Sequence, residues 1–294
     1  MAEAGTKAGA KERQMADAVT RRVAHTRGGL RGPGQRAVLL LLASLPLLLF
    51  LLLPLLSLVV RVSLASVLAN LMDRTVAQAI QLSIVTTLCT VGLTILGGTP
   101  LAYLLARQPF RGRTLVDSLV TLPIVMPPAV AGIALLLAFG RRGVVGQALT
   151  GYGVAIAFTP IAVVLAQTFV AAPFYVLAAK SAFRGVDRDL EQAASVDGAG
   201  PLRVFQHITF PIALPALFGG LLMTWARALG EFGATIIFAG NFPGRTQTMP
   251  LAIYLGFELD LQSALTLSLV LLTLSLVVLL VVRGVLRLHV DAVP

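Results

Sequence analysis

Leu190-Glu191-Gln192-Ala193-Ala194-Ser195-Val196-Asp197-Gly198-Ala199-Gly200-Pro201, continuing to Ile212-Ala213-Leu214-Pro215, is a polar segment with helix-capping residues, set between two strongly apolar stretches. Asp189 is expected to cap a first helix, with Glu191 in its first turn, where a carboxylate suits the positive helix end. Gln192, Ala193 and Ala194 continue that helix, and Gly198 supplies the left-handed residue that commonly ends one. Gly200-Pro201 starts a second helix, because proline in a first turn forfeits no hydrogen bond. Leu202, Phe205 and Ile208 form an apolar stripe along it at helical spacing, and Pro211 and Pro215 mark re-entry into an apolar environment. On residue chemistry alone, the segment is either a docking element or an amphipathic connector lying on a bilayer.

The rest of the chain supplies the bilayer. Of its 294 residues 57% are hydrophobic and only 12% charged, whereas soluble domains carry about a quarter charged residues. Mean hydropathy is +0.88. A helix needs roughly 20 apolar residues to cross the ~30 Å hydrocarbon layer. Six stretches meet that length, at about 38–60, 78–105, 116–139, 154–179, 212–239 and 262–282. The expected fold is therefore all-α with six transmembrane helices in one domain, 37–290, and a polar loop at about 181–211. The run Ala37 to Val60 is too long for a secretory signal, and no small-residue cleavage site follows it, so it is read as a retained first helix.

Residues 1–36 form a basic tail holding eight of the 23 Lys/Arg, with Gly28-Gly29, Gly32-Pro33-Gly34 and little apolar content. Such a composition cannot bury enough surface to fold, and the tail is expected to be disordered. The net charge of +10 raises nucleic acid as a partner, but no aromatic residue interleaves with the tail's charges, which argues against it. Topology and contact with anionic membrane lipids account for the charge. Six spans put both termini on one side, and Lys/Arg accumulate in cytoplasmic loops. With the N-terminus inside, the inner loops and C-terminus carry Arg107, Arg111, Arg113, Lys180, Arg184, Arg188, Arg203, Arg283 and Arg287 in addition to the tail. The outer segments carry only Arg61, Arg74, Arg141, Arg142 and Arg245. The expected orientation has both termini and the loop around Leu190–Pro215 in the cytoplasm.

Catalytic chemistry finds no residues to use. Neither H-E-x-x-H nor G-x-S-x-G occurs, and His25, His207 and His289 lie in the tail, the loop and the C-terminus. Cys89 stands alone in an apolar helix and is read as a small packing residue, with no disulfide or metal cluster to join. No cofactor, metal or catalytic residue is expected. The P-loop G-x-x-x-x-G-K-[ST] is also absent, since none of Lys7, Lys11 and Lys180 follows glycine. With no long soluble domain, any ATPase or receptor is expected to be a separate polypeptide.

The loop resembles the "EAA" loop of ABC importer permeases: glutamate-alanine-alanine, three residues, glycine, nine residues, isoleucine, one residue, leucine-proline. Here Gln192 takes the glutamate position, followed by Ala193, Ala194 and Gly198; Ile208 follows at the set distance, and Phe210-Pro211 stands for leucine-proline. The departures are Gln192 and Phe210, and Glu191 is the candidate to replace the missing charge. A second stretch, Ala226-Arg227-Ala228-Leu229-Gly230-Glu231-Phe232-Gly233-Ala234-Thr235 with Phe238 to Tyr254, resembles the molybdate permeases. Sulfate-type relatives tend to carry tyrosine at the Phe232 position and differ from Gly244 to Thr248. Leu122-Pro123, Pro127-Pro128, Phe139 to Gly143 and Phe169 to Tyr175 extend the likeness over about residues 37–287.

That resemblance implies the permease subunit of a molybdate-type importer in a bacterial inner membrane. It would be a homodimer with two ATP-binding cassette subunits beneath and a periplasmic molybdate-binding protein above; ATP would be bound by the partner subunit. The ATPase coupling residues would be Glu191, Gln192, Ala193, Ala194, Asp197 and Gly198. Pore or gate candidates are Arg227, Gly230, Glu231, Gly233 and Thr235. Arg227 and Glu231 are charges in an apolar segment, spaced to neutralise each other on one helix face, and an internal salt bridge is compatible with a place in the pore or at a subunit interface. Gly230 and Gly233 would allow close backbone approach. Arg245, Thr246, Gln247 and Thr248 are candidates for contact with the binding protein, the alternative being a solvated turn begun by Asn241 and Pro243-Gly244. A dianion driven inward against an inside-negative potential costs roughly 4.6 kcal/mol per 100 mV, so an energy source has to be coupled. Tungstate is an equivalent substrate by chemistry, a sulfate or thiosulfate ABC permease is the alternative, and an ion-coupled secondary transporter is the rival of another class. For that rival Glu231 would be the lone acidic candidate, and no internal repeat supports it.

Overall fold

Leucine-rich stretches without acidic residues become long helices, and in the computed structural model, which describes residues 33–290, helix is the only regular structure. The chain divides into two units at Arg61/Val62. The first holds α1 (Pro33–Arg61), whose described side chains are exposed almost throughout and apolar. Its start at Pro33 takes the last four residues of the expected tail into the helix; the disorder expected of residues 1–32 lies outside the described residues.

The second unit begins with α2 (Leu64–Leu71) and α3 (Arg74–Arg107). Asp73 caps α3, its Oδ1 accepting from the N–H of Thr75 at 2.7 Å and of Val76 at 3.2 Å. Then come α4 (Arg113–Val125), α5 (Pro128–Phe139), α6 (Gly146–Gly151), α7 (Pro160–Gly185), α8 (Arg188–Val196) and α9 (Pro201–Leu229). The chain finishes with α10 (Gly233–Phe238), α11 (Met249–Leu259) and α12 (Leu261–Val290). Asp260 caps α12, and the Ser263 hydroxyl, followed by the backbone of Ser263 and Gln262, holds its carboxyl below the ordinary range.

At the centre α3 and α7 run parallel, with α9 antiparallel to both. Thr90 donates to Gln167 Oε1 at 3.1 Å, Thr99 and Tyr175 share a hydrogen bond of 2.7 Å, and Trp225 Nε1 donates to Thr87 at 2.9 Å. Ser83, Thr86, Thr87, Thr90 and Thr94 form a buried polar row along α3. Small hydroxylated residues suit helix contacts in lipid, because they allow close approach and hydrogen-bond across it. The apolar core beside them packs Ala102, Leu105, Tyr175, Ala179, Phe183 and Leu217.

Three expectations need correction. The third span, 116–139, is α4 plus α5, bent by 118°. Met126 precedes Pro127-Pro128 and is forced out of the helical region, so its backbone is extended. The fifth span does not begin at 212 and run to 239. It starts at Pro201, so the expected second loop helix is the first turns of α9, and it stops at Gly230. Pro211 has no N–H and its ring collides with the carbonyl four residues back; the ladder slips to a π turn over Phe205–Thr209, with the Phe210 N–H donating to Phe205 O. Finally, Cys89 is exposed rather than packed.

Candidate functional site

Helix α8 carries the expected docking residues. Its cap is Asp187, not Asp189: Asp187 Oδ1 accepts from the Asp189 N–H at 2.9 Å, which places Asp189 and Glu191 together in the first turn. The helix ends as the sequence implies. Gly198 has φ +86°, its N–H donates to Ser195 O at 3.1 Å, and the Ala199 N–H reaches Ala194 O at 3.0 Å, so these two carbonyls of the last turn are satisfied. Gly200 then leads into Pro201 at the start of α9.

Gln192, Ala193, Asp197 and Gly198 are exposed and Ala194 is half-buried, joined by Val196 at 87% exposure. Glu191 is not on that surface. It turns back into the bundle, where its Oε1 accepts from Arg107 Nη2 at 2.9 Å and from the Thr209 hydroxyl at 2.6 Å. It is engaged internally, on Arg107 and Thr209, rather than exposed beside Gln192. Of the stripe expected on the second loop helix, Leu202 is exposed; Phe205 packs edge-on against Tyr103 at 5.0 Å, and Val204 and Thr209 are the buried positions. The π turn shifts the register and so changes which residues face inward. Between α8 and the end of α3 lies an open groove of about 600 Å³, whose lining includes Tyr103, Arg107, Gln108, Glu191, Gln192 and Val196.

The second candidate region sits at the opposite end of α9. Arg227 Nη1 and Glu231 Oε2 are 2.8 Å apart, so the expected internal salt bridge is present, with Glu231 only 1% exposed. The other carboxylate oxygen accepts from the Ala234 N–H at 2.8 Å, which fastens the start of α10 to the end of α9. Gly233 lies against α5: a Cβ there would stand 2.7 Å from Pro128 Cβ. Gly230 has no such neighbour, so the close approach expected of both glycines belongs to Gly233 alone. Thr235 is fully buried and its hydroxyl has no partner.

The outer-loop candidates separate. Arg245 is exposed, but Thr246, Gln247 and Thr248 are buried. Thr246 Oγ1 accepts from the Phe242 N–H at 3.1 Å, and the next turn is held by the Met249 N–H on Ser83 Oγ at 2.7 Å. Buried side chains do not make a solvated turn; of the four, Arg245 alone is exposed. Sequence reading missed Arg107 and Thr209, whose partner is distant in the chain. It also missed the polar row on α3, although Ser83, Thr87, Thr90 and Thr94 recur at helical spacing.

Comparison with known proteins identifies the family and the fold. The family model described as binding-protein-dependent transport system inner membrane component matches residues 98–291. The Molybdenum transport system permease protein ModB of Mycobacterium tuberculosis is 42% identical over 233 residues, covering 79% of this chain and 88% of that protein. The protein of the same name from Escherichia coli is 44% identical over 178 residues, covering 60% and 78%. Among solved structures, a bacterial ABC transporter involved in the import of the acidic polysaccharide alginate matches with a TM-score of 0.65 at 20% identity, over 88% of this chain and 98% of that one. At that identity the likeness concerns the fold, which is the all-helical fold of ABC importer permeases.

Proposed function

We propose that this chain, which belongs to the family of binding-protein-dependent transport system inner membrane components, is the membrane-spanning subunit of an ATP-driven importer that carries molybdate into the cytoplasm. The observation that carries the substrate is the identity of 42% to a molybdenum permease over 79% of the chain, a length that takes in most of the membrane domain. Tungstate, of the same charge and shape, is accepted by the same chemistry. Nothing favours sulfate over molybdate.

Two copies of the chain line one pathway, each resting on an ATPase subunit, with a periplasmic molybdate-binding protein delivering the anion. Both termini and α8 face the cytoplasm, the orientation the Lys/Arg distribution favours. The exposed surface of α8 at Gln192, Ala193, Val196, Asp197 and Gly198 receives the ATPase. Arg227, Glu231, Gly233 and Thr235, at the junction of α9, α10 and α5, form the gate region, and Arg245 meets the binding protein. ATP supplies the roughly 4.6 kcal/mol per 100 mV that a dianion's entry requires. Specificity rests mainly with the binding protein, so the pathway need not hold the anion tightly.

The test is uptake by proteoliposomes holding this chain, its ATPase and its binding protein, supplied with molybdate, tungstate or sulfate. ATP-dependent molybdate uptake is expected. Sulfate uptake without molybdate uptake would overturn the substrate, and uptake without nucleotide would overturn the energy source.

A further inference from the structure

Helix α8 has no fully buried residue of its own, and only Glu191 and Ala194 are half-buried, so apolar packing holds it weakly against the first turns of α9. Its polar attachment to the bundle is concentrated at one junction. There, Glu191 Oε1 accepts from two donors, Arg107 Nη2 at 2.9 Å and Thr209 Oγ1 at 2.6 Å. The same Nη2 donates to Val186 O at 2.9 Å, at the point where the chain enters α8. Arg107 ends α3 and is 7% exposed along its side chain, while Thr209, fully buried, closes the π turn of α9. Arg107 also suits its position electrostatically, as a cation at the negative end of α3.

We infer that Glu191 is a positioning residue that carries the displacement of α8 into α3 and α9, with Arg107 and Thr209 as its two seats. This rests on the reading of the chain as a subunit driven by an ATPase. A displacement of α8 that did not engage this junction would reach the bundle through that weak packing and the bends at 186–187 and 197–200, which absorb rotation. Through Glu191 the same displacement pulls on two long helices at once. The attachment is a pivot rather than a clamp, because both donors meet one oxygen. Arg107 Nε is buried without a partner, and Glu191 Oε2 is left for it, so a tilt of α8 converts the single-point contact into a bidentate pair. Gln192, the neighbouring exposed residue, then faces the ATPase, and Glu191 faces the bundle.

The experiment measures molybdate uptake per ATP hydrolysed in proteoliposomes, together with the amount of ATPase subunit that co-purifies. Thr209→Val keeps the side-chain volume and removes one hydroxyl; it is expected to lower uptake per ATP about fivefold, the worth of one hydrogen bond. Glu191→Gln, which also removes the charge, is expected to lower it about tenfold or more. The exchange Arg107→Glu with Glu191→Arg is expected to recover part of that ratio, as a residue acting only through bulk stability would not. An unchanged ratio in both single variants overturns the inference. So does loss of the ATPase subunit from Glu191→Gln complexes while Thr209→Val remains coupled, since that places Glu191 at the ATPase surface. If the Arg107 variants do not insert, Thr209→Val decides alone. A wild-type complex that moves no molybdate, or moves it without ATP, overturns the functional reading itself before any variant is compared.

Discussion

Among the described residues are two arginine–glutamate pairs of the same chemistry and almost the same length, 2.9 Å for Arg107–Glu191 and 2.8 Å for Arg227–Glu231. The second is local. Its partners are four residues apart, and its effect is to neutralise two charges in an apolar segment and to fasten α10 to the end of α9. The first spans 84 residues and joins α8 to α3, with Thr209 of α9 on the same oxygen. A local pair stabilises a break in one helix; a distant pair makes separate elements move together. An ion pair's consequences follow from what it connects more than from its distance.

The largest effect should come from breaking the local pair, because its glutamate is the more deeply buried. Arg227→Ala leaves the Glu231 carboxylate, 1% exposed, with only the Ala234 N–H. Removing one partner of a buried ion pair costs about 3–5 kcal/mol. A large drop in the thermal unfolding midpoint in detergent is expected. Glu231→Gln should drop it less, since the Arg227 side chain, 30% exposed, is less enclosed than Glu231. The reverse order would show that Arg227, not Glu231, is the residue whose burial matters.

This contrast also explains what could be read from the chain alone. The i,i+4 spacing of Arg227 and Glu231 announces a salt bridge, and Gly198 followed by Gly200-Pro201 announces the end of one helix and the start of the next; both stand in the structure. The long apolar helices were equally legible, because length and composition decide them. Illegible were the features set by contacts across the fold. Glu191 read as a candidate for the ATPase surface, because nothing near it in sequence names Arg107. Thr246, Gln247 and Thr248 read as an outer turn, because their burial depends on a strut from α3, Ser83 holding Met249. Pro127-Pro128 lies inside what the sequence presents as one span and Pro211 at the re-entry into the membrane, yet the first bends its span by 118° and the second is accommodated by a π turn within a continuous helix. Which outcome a proline has depends on the neighbours that satisfy the freed backbone groups.

Glycine substitutions sharpen the comparison at its two ends. At the local pair, Gly233→Ala puts a Cβ 2.7 Å from Pro128 Cβ, and overpacking of that kind costs about 1–3 kcal/mol. Gly230→Ala meets nothing closer than 3.8 Å and should cost only a few tenths of that, so the difference in unfolding midpoint measures the α5–α10 contact directly. At the distant pair, Gly198 has open space around it but φ +86°. Gly198→Val should therefore act through the backbone alone, by about 1–2 kcal/mol, and loosen the end of α8. Uptake per ATP is expected to fall with it, whereas Gly198→Asn, which tolerates the left-handed region, should stay closer to wild type. Equal values for valine and asparagine would show that the conformation of Gly198 has no part in coupling.

The smallest effect is expected at a third ion pair, which separates connection from exposure. Lys180 on α7 and Asp117 on α4 are 2.5 Å apart and also join two elements, but the Asp117 side chain is 38% exposed. Water and salt screen a pair of this kind, and its worth is about 1 kcal/mol or less. A double-mutant cycle with Lys180→Ala and Asp117→Ala, read from unfolding midpoints, should give a small coupling that shrinks as salt is raised. The same cycle on Arg107 and Glu191, with side chains 7% and 18% exposed, should give about 1.5–3 kcal/mol and change little with salt. If the Lys180–Asp117 coupling equals that of Arg107–Glu191 and resists salt as well, joining two elements is enough to make an ion pair strong. If it collapses as expected, the strength of Arg107–Glu191 lies in the enclosure that the end of α3, the turn of α9 and α8 make together.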